Sequence, residues 1–442
     1  MVENGKRDRS LNIGFISTRF RGLDGVSLEA GKWASVLREF KHNCYWFAGE
    51  LDRDPQASML VPEAFFGHPS ALELNRTLFA AHKRSRQVTE ALHRQKDFLK
   101  DKLYEFIDKF RIDLIIPENV LSIPMHLPLG MALTELIAET GIPSIAHHHD
   151  FYWERPRFLM NACQDILNMA FPPDLPSIKH VVINSVAQAD LAARRSISAS
   201  LIFNVMDFEK RPPKPDVSDR QFRKDMGFKP DDILILQPTR VVYRKGIEQA
   251  IYLVELLNLP NVKLIVSHTL GDEGPAYSEW VKNWANRQGV HLHFLNDRLY
   301  EEARVSADGE RLYSLWDVYP HMNLITYPSI QEGFGNAFLE AVYFQKPILV
   351  NRYSVFIVDI EPKGFDVVSI DGYMTDAAVK QVTEVLMNPK RRKEMVDRNF
   401  ELARKYFSFQ ILRKELANQI SSFFGIAPPQ GLFQRLFRWV RG

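Results

Sequence analysis

Apolar residues along this chain fall into short runs separated by longer amphipathic stretches, and the rhythm occurs twice. The first run, residues 11–17, is apolar almost throughout, the pattern of a strand buried on both faces. Similar runs recur at 44–48, 113–117, 143–148, 180–184 and 200–203. Helix-period segments separate most of them, the first from about Ser27 to Phe40. Strands alternating with helices predict a doubly wound parallel sheet. Residues 72–111 are highly charged, with Lys and Arg interleaved among Leu, Phe and Ala at helical spacing; they read as one or two surface helices with a solvated face.

Three prolines within residues 210–216 break the pattern and suit a semi-rigid linker. A second series of strand-like runs follows at 232–238, 262–266, 291–294, 323–327, 347–350 and 366–370. Helical segments then close the chain at about 375–387, 391–406 and 409–424. The expected organisation is an α/β protein of two Rossmann-like domains, 1–208 and 218–405, joined by a linker at 209–217. Residues 406–442 supply terminal helices and a tail.

At 442 residues the chain is long enough for two or three domains, each with its own core. A hydrophobic content of 45% with 25% charged residues is ordinary for a globular protein, and a net charge of +2 argues against a nucleic-acid partner. Cys44 and Cys163 make neither a disulfide framework nor a metal cluster and read as buried packing residues of a reducing compartment. The first ten residues lack the apolar core of a signal peptide, so the expected location is cytoplasmic. No stretch of about 18 uncharged apolar residues occurs, so no spanning helix is expected. Residues 431–442 place Leu432, Phe433, Leu436, Phe437 and Val440 on one helical face and Arg435, Arg438 and Arg441 on another. Such a segment fits peripheral contact with a membrane, or packing on protein.

Candidate chemistry concentrates in four places. Glu332 and Glu340 flank Gly333, Phe334, Gly335 and Asn336, between a strand-like and a helix-like stretch. That puts Glu332 near a strand's carboxyl end and Glu340 about two turns into a helix, with free backbone N–H groups at the helix start. Arg240 and Lys245, with Arg244 between them, follow the first strand of the second half. Asp24 and Gly25 lie in a loop after the first strand of the chain. His147, His148, His149 and Asp150 end a strand, and Tyr152, Trp153, Glu154 and Arg155 follow. Neighbouring residues on a strand point to opposite faces, so three successive histidines are a poor metal set, and no metal site is expected.

The string Tyr327-Pro328-Ser329, then Glu332-Gly333-Phe334-Gly335, then Leu339-Glu340-Ala341 resembles the E-x7-E signature of retaining GT-B glycosyltransferases, in particular family 4 (glycosyl transferases group 1). The resemblance covers about residues 11 to 425. It implies two Rossmann-like domains facing a cleft, with the last helix crossing back to the first domain. It implies transfer of a hexose from a UDP- or GDP-hexose to a hydroxyl acceptor with retention, with no metal and no cofactor beyond the nucleotide diphosphate sugar itself. Arg240 and Lys245 match the cations that hold the donor's diphosphate, and Gly25 the loop near it. Glu332 and the backbone of Gly333, Phe334, Gly335 and Asn336 match the groups that hold the transferred sugar, and Glu340 the ribose ligand. His149 matches the cleft histidine, which contacts the transferred sugar or the acceptor; Asp24 and Trp153 stand on the acceptor side. The acceptor is a sugar, another small molecule or a lipid-linked saccharide. Residues 203–208 resemble a hinge element of the family, and 267–275 occupy the place of a nucleotide-contacting loop. Asn351-Arg352-Tyr353-Ser354 lacks the glycines usual after its strand. The rivals are a GT-B epimerase, which would turn over donor without acceptor, and a non-catalytic sugar-nucleotide-binding subunit, which the intact Arg240, Lys245, Glu332 and Glu340 argue against.

Overall fold

The computed structural model describes residues 9–22, 24–212, 219–267, 276–295, 298–300, 304–305 and 309–425. Most of the expected linker (213–217), the loop at 268–275 and the amphipathic tail at 431–442 lie outside the described residues. Contacts divide the chain into two units, one of Met1–Asn204 with Gln410–Gly442 and one of Val205–Phe409.

The first unit is built on β1 (Asn12–Ile16), α1 (Gly25–Glu39), β2 (Asn43–Ala48), β3 (Ser58–Leu60), α2 (Pro69–Leu78), α3 (Arg86–Phe110), β4 (Leu114–Pro117), α4 (Leu127–Thr140), β5 (Ser144–His148), α5 (Pro156–Leu159), α6 (Gln164–Ala170), β6 (Ile178–Val182), α7 (Ser185–Arg195) and β7 (Ala199–Leu201). Its seven strands run parallel in the order β3-β2-β1-β4-β5-β6-β7. Residues 72–111 divide between α2 and α3. Their basic face is not simply solvated: Lys96 and Lys100 both pair with Glu135 on α4, at 2.8 and 3.0 Å. Most of α4 is apolar and buried, packed with α3 and the sheet in one core. Cys44 and Cys163 are buried as expected, and burial pushes both thiols up to about 12.

The second unit contains α8 (Asp219–Asp225), β8 (Ile233–Gln237), α9 (Ile247–Leu257), β9 (Val262–Val266), α10 (Ala276–Arg287), β10 (Leu292–Phe294), the hairpin strands β11 (Arg304–Val305) and β12 (Arg311–Leu312), α11 (Leu315–Val318), β13 (Leu324–Tyr327), α12 (Asn336–Tyr343), β14 (Ile348–Asn351), β15 (Val368–Ile370), α13 (Asp376–Met387) and α14 (Pro389–Tyr406). Six parallel strands form its main sheet in the order β10-β9-β8-β13-β14-β15. Ile235, Leu264, Leu324 and Leu349 form part of its core beneath α9 and α13.

The last helix, α15 (Phe409–Phe424), belongs almost wholly to the first unit. Leu412, Leu416 and Ile420 are buried, Arg413 pairs with Glu39 of α1 at 2.7 Å, and Gln419 bonds Ser200 at 2.9 Å. Residues 203–208 stand where the chain leaves that unit, and the N–H of Met206 donates to the Phe407 carbonyl on the returning segment.

The strand orders position the chemistry. In each sheet the order reverses direction at one place, between β1 and β4 in the first unit and between β8 and β13 in the second. Loops leaving the carboxyl ends of strands on either side of such a point diverge and open a crevice.

Candidate active site

In the second unit the loops after β8 and β13 meet. Residues Tyr243–Lys245 form one tight turn that ends on Gly246, and the buried Gln237 side chain donates to the Lys245 carbonyl at 2.9 Å. Gly246 has φ +61, and a Cβ there would stand 2.5 Å from the Pro328 carbonyl oxygen. The loop therefore needs glycine both for its backbone conformation and for its closeness to the neighbouring loop.

The consequence is a compact charge cluster. The Lys245 ammonium donates to Glu332, and Arg244 stands 3.8 Å from the other carboxylate oxygen. Lys245 and Glu332 side chains are each only 10% exposed. Burial raises the Glu332 carboxyl, but the charge and hydrogen bond of Lys245, with Arg244 behind it, outweigh burial and leave it below its ordinary value. Burial pulls the Lys245 ammonium down, against the opposing pull of Glu332. Lys245 also lies over the Tyr327 ring, 5.8 Å from its centroid. Arg240, four residues before Arg244, is exposed.

The corner beyond Glu332 is shaped by tyrosines. Tyr353 donates to the Phe334 carbonyl at 2.7 Å, and Gly335, with φ +124, would place a Cβ 2.5 Å from that hydroxyl. The place where glycines were expected after β14 is thus filled by a ring that fixes the corner. Asn351 ties the same region together, donating to the Ser329 carbonyl at 3.1 Å and accepting from the Gly372 N–H at 2.8 Å. Asn336 opens α12, which makes Glu340 its fifth residue, just over one turn in rather than two. The helix starts at Asn336 as expected, and five residues at 3.6 per turn span little more than one turn. Glu340 accepts from the buried Tyr319 hydroxyl at 2.7 Å. Tyr319 and Tyr353 were missed because neither adjoins the motif in sequence.

The first unit carries the remaining candidates. Asp24 is the N-cap of α1: its carboxylate accepts from the N–H groups of Val26 and Ser27, and from the Ser27 hydroxyl at 2.6 Å. Gly25 is the first residue of that helix rather than part of an open loop. Trp153 stacks on Phe151 with ring centroids 4.5 Å apart, half-buried against the core. The three histidines divide as their alternation requires. His148 turns to His180, 2.9 Å away, while His147 and His149 share the other face and converge on Glu118. Glu118, which follows β4, was missed as a candidate because its partners lie 29 and 31 residues away. Positions i and i+2 of a strand face the same way, which is what brings His147 and His149 together.

Residues 218–401 match the family model described as Glycosyl transferases group 1. Mannosylglucosylglycerate synthase of Thermotoga maritima is 32% identical over 93% of this chain and all of its own length. A protein of the same name from Petrotoga mobilis is 30% identical over 91% of this chain and all of its own. Among solved structures, a glycosyltransferase from Rickettsia africae superposes with a TM-score of 0.68 at 11% identity, covering 93% of this chain and 98% of that one. Anabaena HepE, solved with UDP and glucose, gives 0.63 at 15% identity, covering 93% of this chain and all of that one. At such identities the structures establish the GT-B fold, while the two synthases match along nearly the whole chain. The chain belongs to the group 1 glycosyltransferases.

Proposed function

We propose that this glycosyltransferase moves a mannosyl group from a nucleotide diphosphate mannose to a hydroxyl of glucosylglycerate, with retention of anomeric configuration and no metal at the diphosphate. The observation that carries the donor side is the meeting of Lys245 and Arg244 on Glu332 at the glycine corner. Cleavage of a sugar–phosphate bond builds negative charge on the leaving diphosphate. Cations fixed there favour the transition state over the ground state. Lys245 and Arg240 take the diphosphate, Glu340 the ribose hydroxyls, and Glu332 with the backbone of Gly333, Phe334, Gly335 and Asn336 the transferred sugar. A carboxylate suits vicinal hydroxyls because it accepts from both.

The acceptor reading rests on the two synthases, whose name describes a mannosyl group on glucosylglycerate. Asp24, His149 and Trp153 are the acceptor-side groups, and Gly25, the first residue of α1, is assigned to the donor's diphosphate. Attack on the same face as the departing diphosphate gives retention without a protein nucleophile, and a phosphate oxygen accepts the acceptor's proton. A cytoplasmic location follows from a nucleotide sugar as co-substrate.

The test is release of nucleoside diphosphate across a panel of UDP-, GDP- and ADP-hexoses, each with and without glucosylglycerate. Acceptor-dependent release from one mannose donor supports the reading. Equal release without acceptor rejects it in favour of hydrolysis or epimerisation.

A further inference from the structure

The buried triad of the first unit leaves polar atoms without partners among the described residues. Glu118 is fully buried, and one carboxylate oxygen, Oε2, takes both its contacts, 2.9 Å to His147 Nδ1 and 3.4 Å to His149 Nε2. Its other oxygen, Oε1, has no hydrogen-bond partner among the described residues, and neither has Nε2 of His147. Buried carboxylates are normally paired with a cation or bound to a metal. Among the described residues neither a lysine nor an arginine pairs with Glu118; its side-chain contacts are the two histidines.

We propose that Glu118, His147 and His149 bind one divalent transition-metal ion of the zinc class. One ligand atom from each lies within 4.8 Å of the others. Zinc with two imidazoles and one carboxylate has bonds of about 2.0–2.1 Å, which set neighbouring ligand atoms roughly 3.3 Å apart in a tetrahedron. The two spacings to Glu118 Oε2, 2.9 and 3.4 Å, bracket that value, and the two histidine nitrogens lie within 4.8 Å of each other. The framework is rigid. Glu118 closes the parallel bridge between the ends of β4 and β5, and Trp33 stacks on the His147 ring at 4.1 Å. The backbone N–H of His149 donates to the Asn119 side chain at 3.0 Å. His149 is the most exposed of the three, at 10%, so the fourth position lies on its side, and a ligated His149 would act on the acceptor through the ion rather than directly. All three ligands belong to the first unit, so the inference does not rest on the donor chemistry assigned to Lys245 and Arg240.

The full-length protein would be dialysed against EDTA, loaded with Zn2+, desalted and analysed for metal. The expected result is about one zinc per chain for the wild type and for His148→Asn, whose histidine faces away. Glu118→Gln and His149→Ala each bind more than ~100-fold more weakly. Cobalt substitution of the wild type gives a readout that needs no variant: a bound ion with nitrogen and oxygen ligands at low coordination number produces strong visible bands. Substoichiometric zinc in the wild type, undiminished binding by Glu118→Gln and His149→Ala, or a cobalt spectrum equal to that of the free aqueous ion overturns the site.

Discussion

Removing the Lys245 ammonium while keeping its bulk, as in Lys245→Met, isolates the buried pair at the glycine corner. The substitution leaves the Glu332 carboxylate, 10% exposed, with Arg244 at 3.8 Å and the hydroxyls of Tyr327 and Ser329 to face it. Breaking one side of a buried ion pair costs roughly 3–5 kcal/mol, because the remaining charge stays desolvated. Arg244 is one-third exposed and offsets part of that, which points to the lower end, about 3 kcal/mol. For a cooperative unit of about 200 residues that is a fall in melting temperature of roughly 6–12 °C. Lys245→Met combined with Glu332→Gln removes both charges and returns to within about 1 kcal/mol of the wild type. Transferase activity behaves differently: on the proposed mechanism it falls sharply in both variants, since the diphosphate has lost one of its two cations. Calorimetry or dye-monitored melting reads the first effect, and nucleoside diphosphate release the second. A double variant no more stable than Lys245→Met would refute the charge argument, and activity restored with stability would remove Lys245 from the diphosphate.

Four further outcomes follow from the geometry. Gly335→Ala places a Cβ against the Tyr353 hydroxyl at a φ of +124, costing at least ~1–3 kcal/mol in chemical unfolding; adding Tyr353→Phe relieves the contact but not the backbone strain, so recovery is partial. Burial, helped by the charge of Asp150, raises the Glu154 carboxyl to about 7, above its ordinary 4.5, so the folded state holds that proton more tightly. The stability this contributes is present below about pH 4.5 and lost as pH rises through about 7; Glu154→Gln therefore gains melting temperature over the wild type only above pH 5, increasingly to pH 8, and a constant difference contradicts the assignment. Leu416→Ala empties a fully buried position of α15 and destabilises by roughly 2–5 kcal/mol in denaturant unfolding; no change would mean that α15 contributes little to the first unit. In Glu118→Gln, which lacks the proposed first-unit ion, donor affinity measured by titration calorimetry stays the same in EDTA, and a tenfold loss on chelation would place a metal at the diphosphate.

The sequence carried much of the architecture, and for identifiable reasons. Parallel strands buried on both faces leave uninterrupted apolar runs, so β1, β9 and β13 stand within a residue or so of where their runs predict. Elements with weaker signatures escaped. β3 has three residues, and α4 has too few polar positions to show a helical period. The Glu332 corner was legible because its parts are contiguous, and Lys245 because it precedes a helix in a set order. Glu118, Tyr319 and Tyr353 were not, since each acts through a contact that only folding creates. Lys96 and Lys100 show the same limit: in sequence they are a basic stripe, and in space they are paired across two helices.

The central claim is tested most directly by the structure of the product. The purified chain would be incubated with the mannose donor that releases nucleotide and with glucosylglycerate, and the product examined by NMR and mass spectrometry. The account predicts one new glycosidic bond to a mannosyl group whose anomeric configuration matches that of the donor. An inverted linkage, or free mannose as the only product, would contradict it.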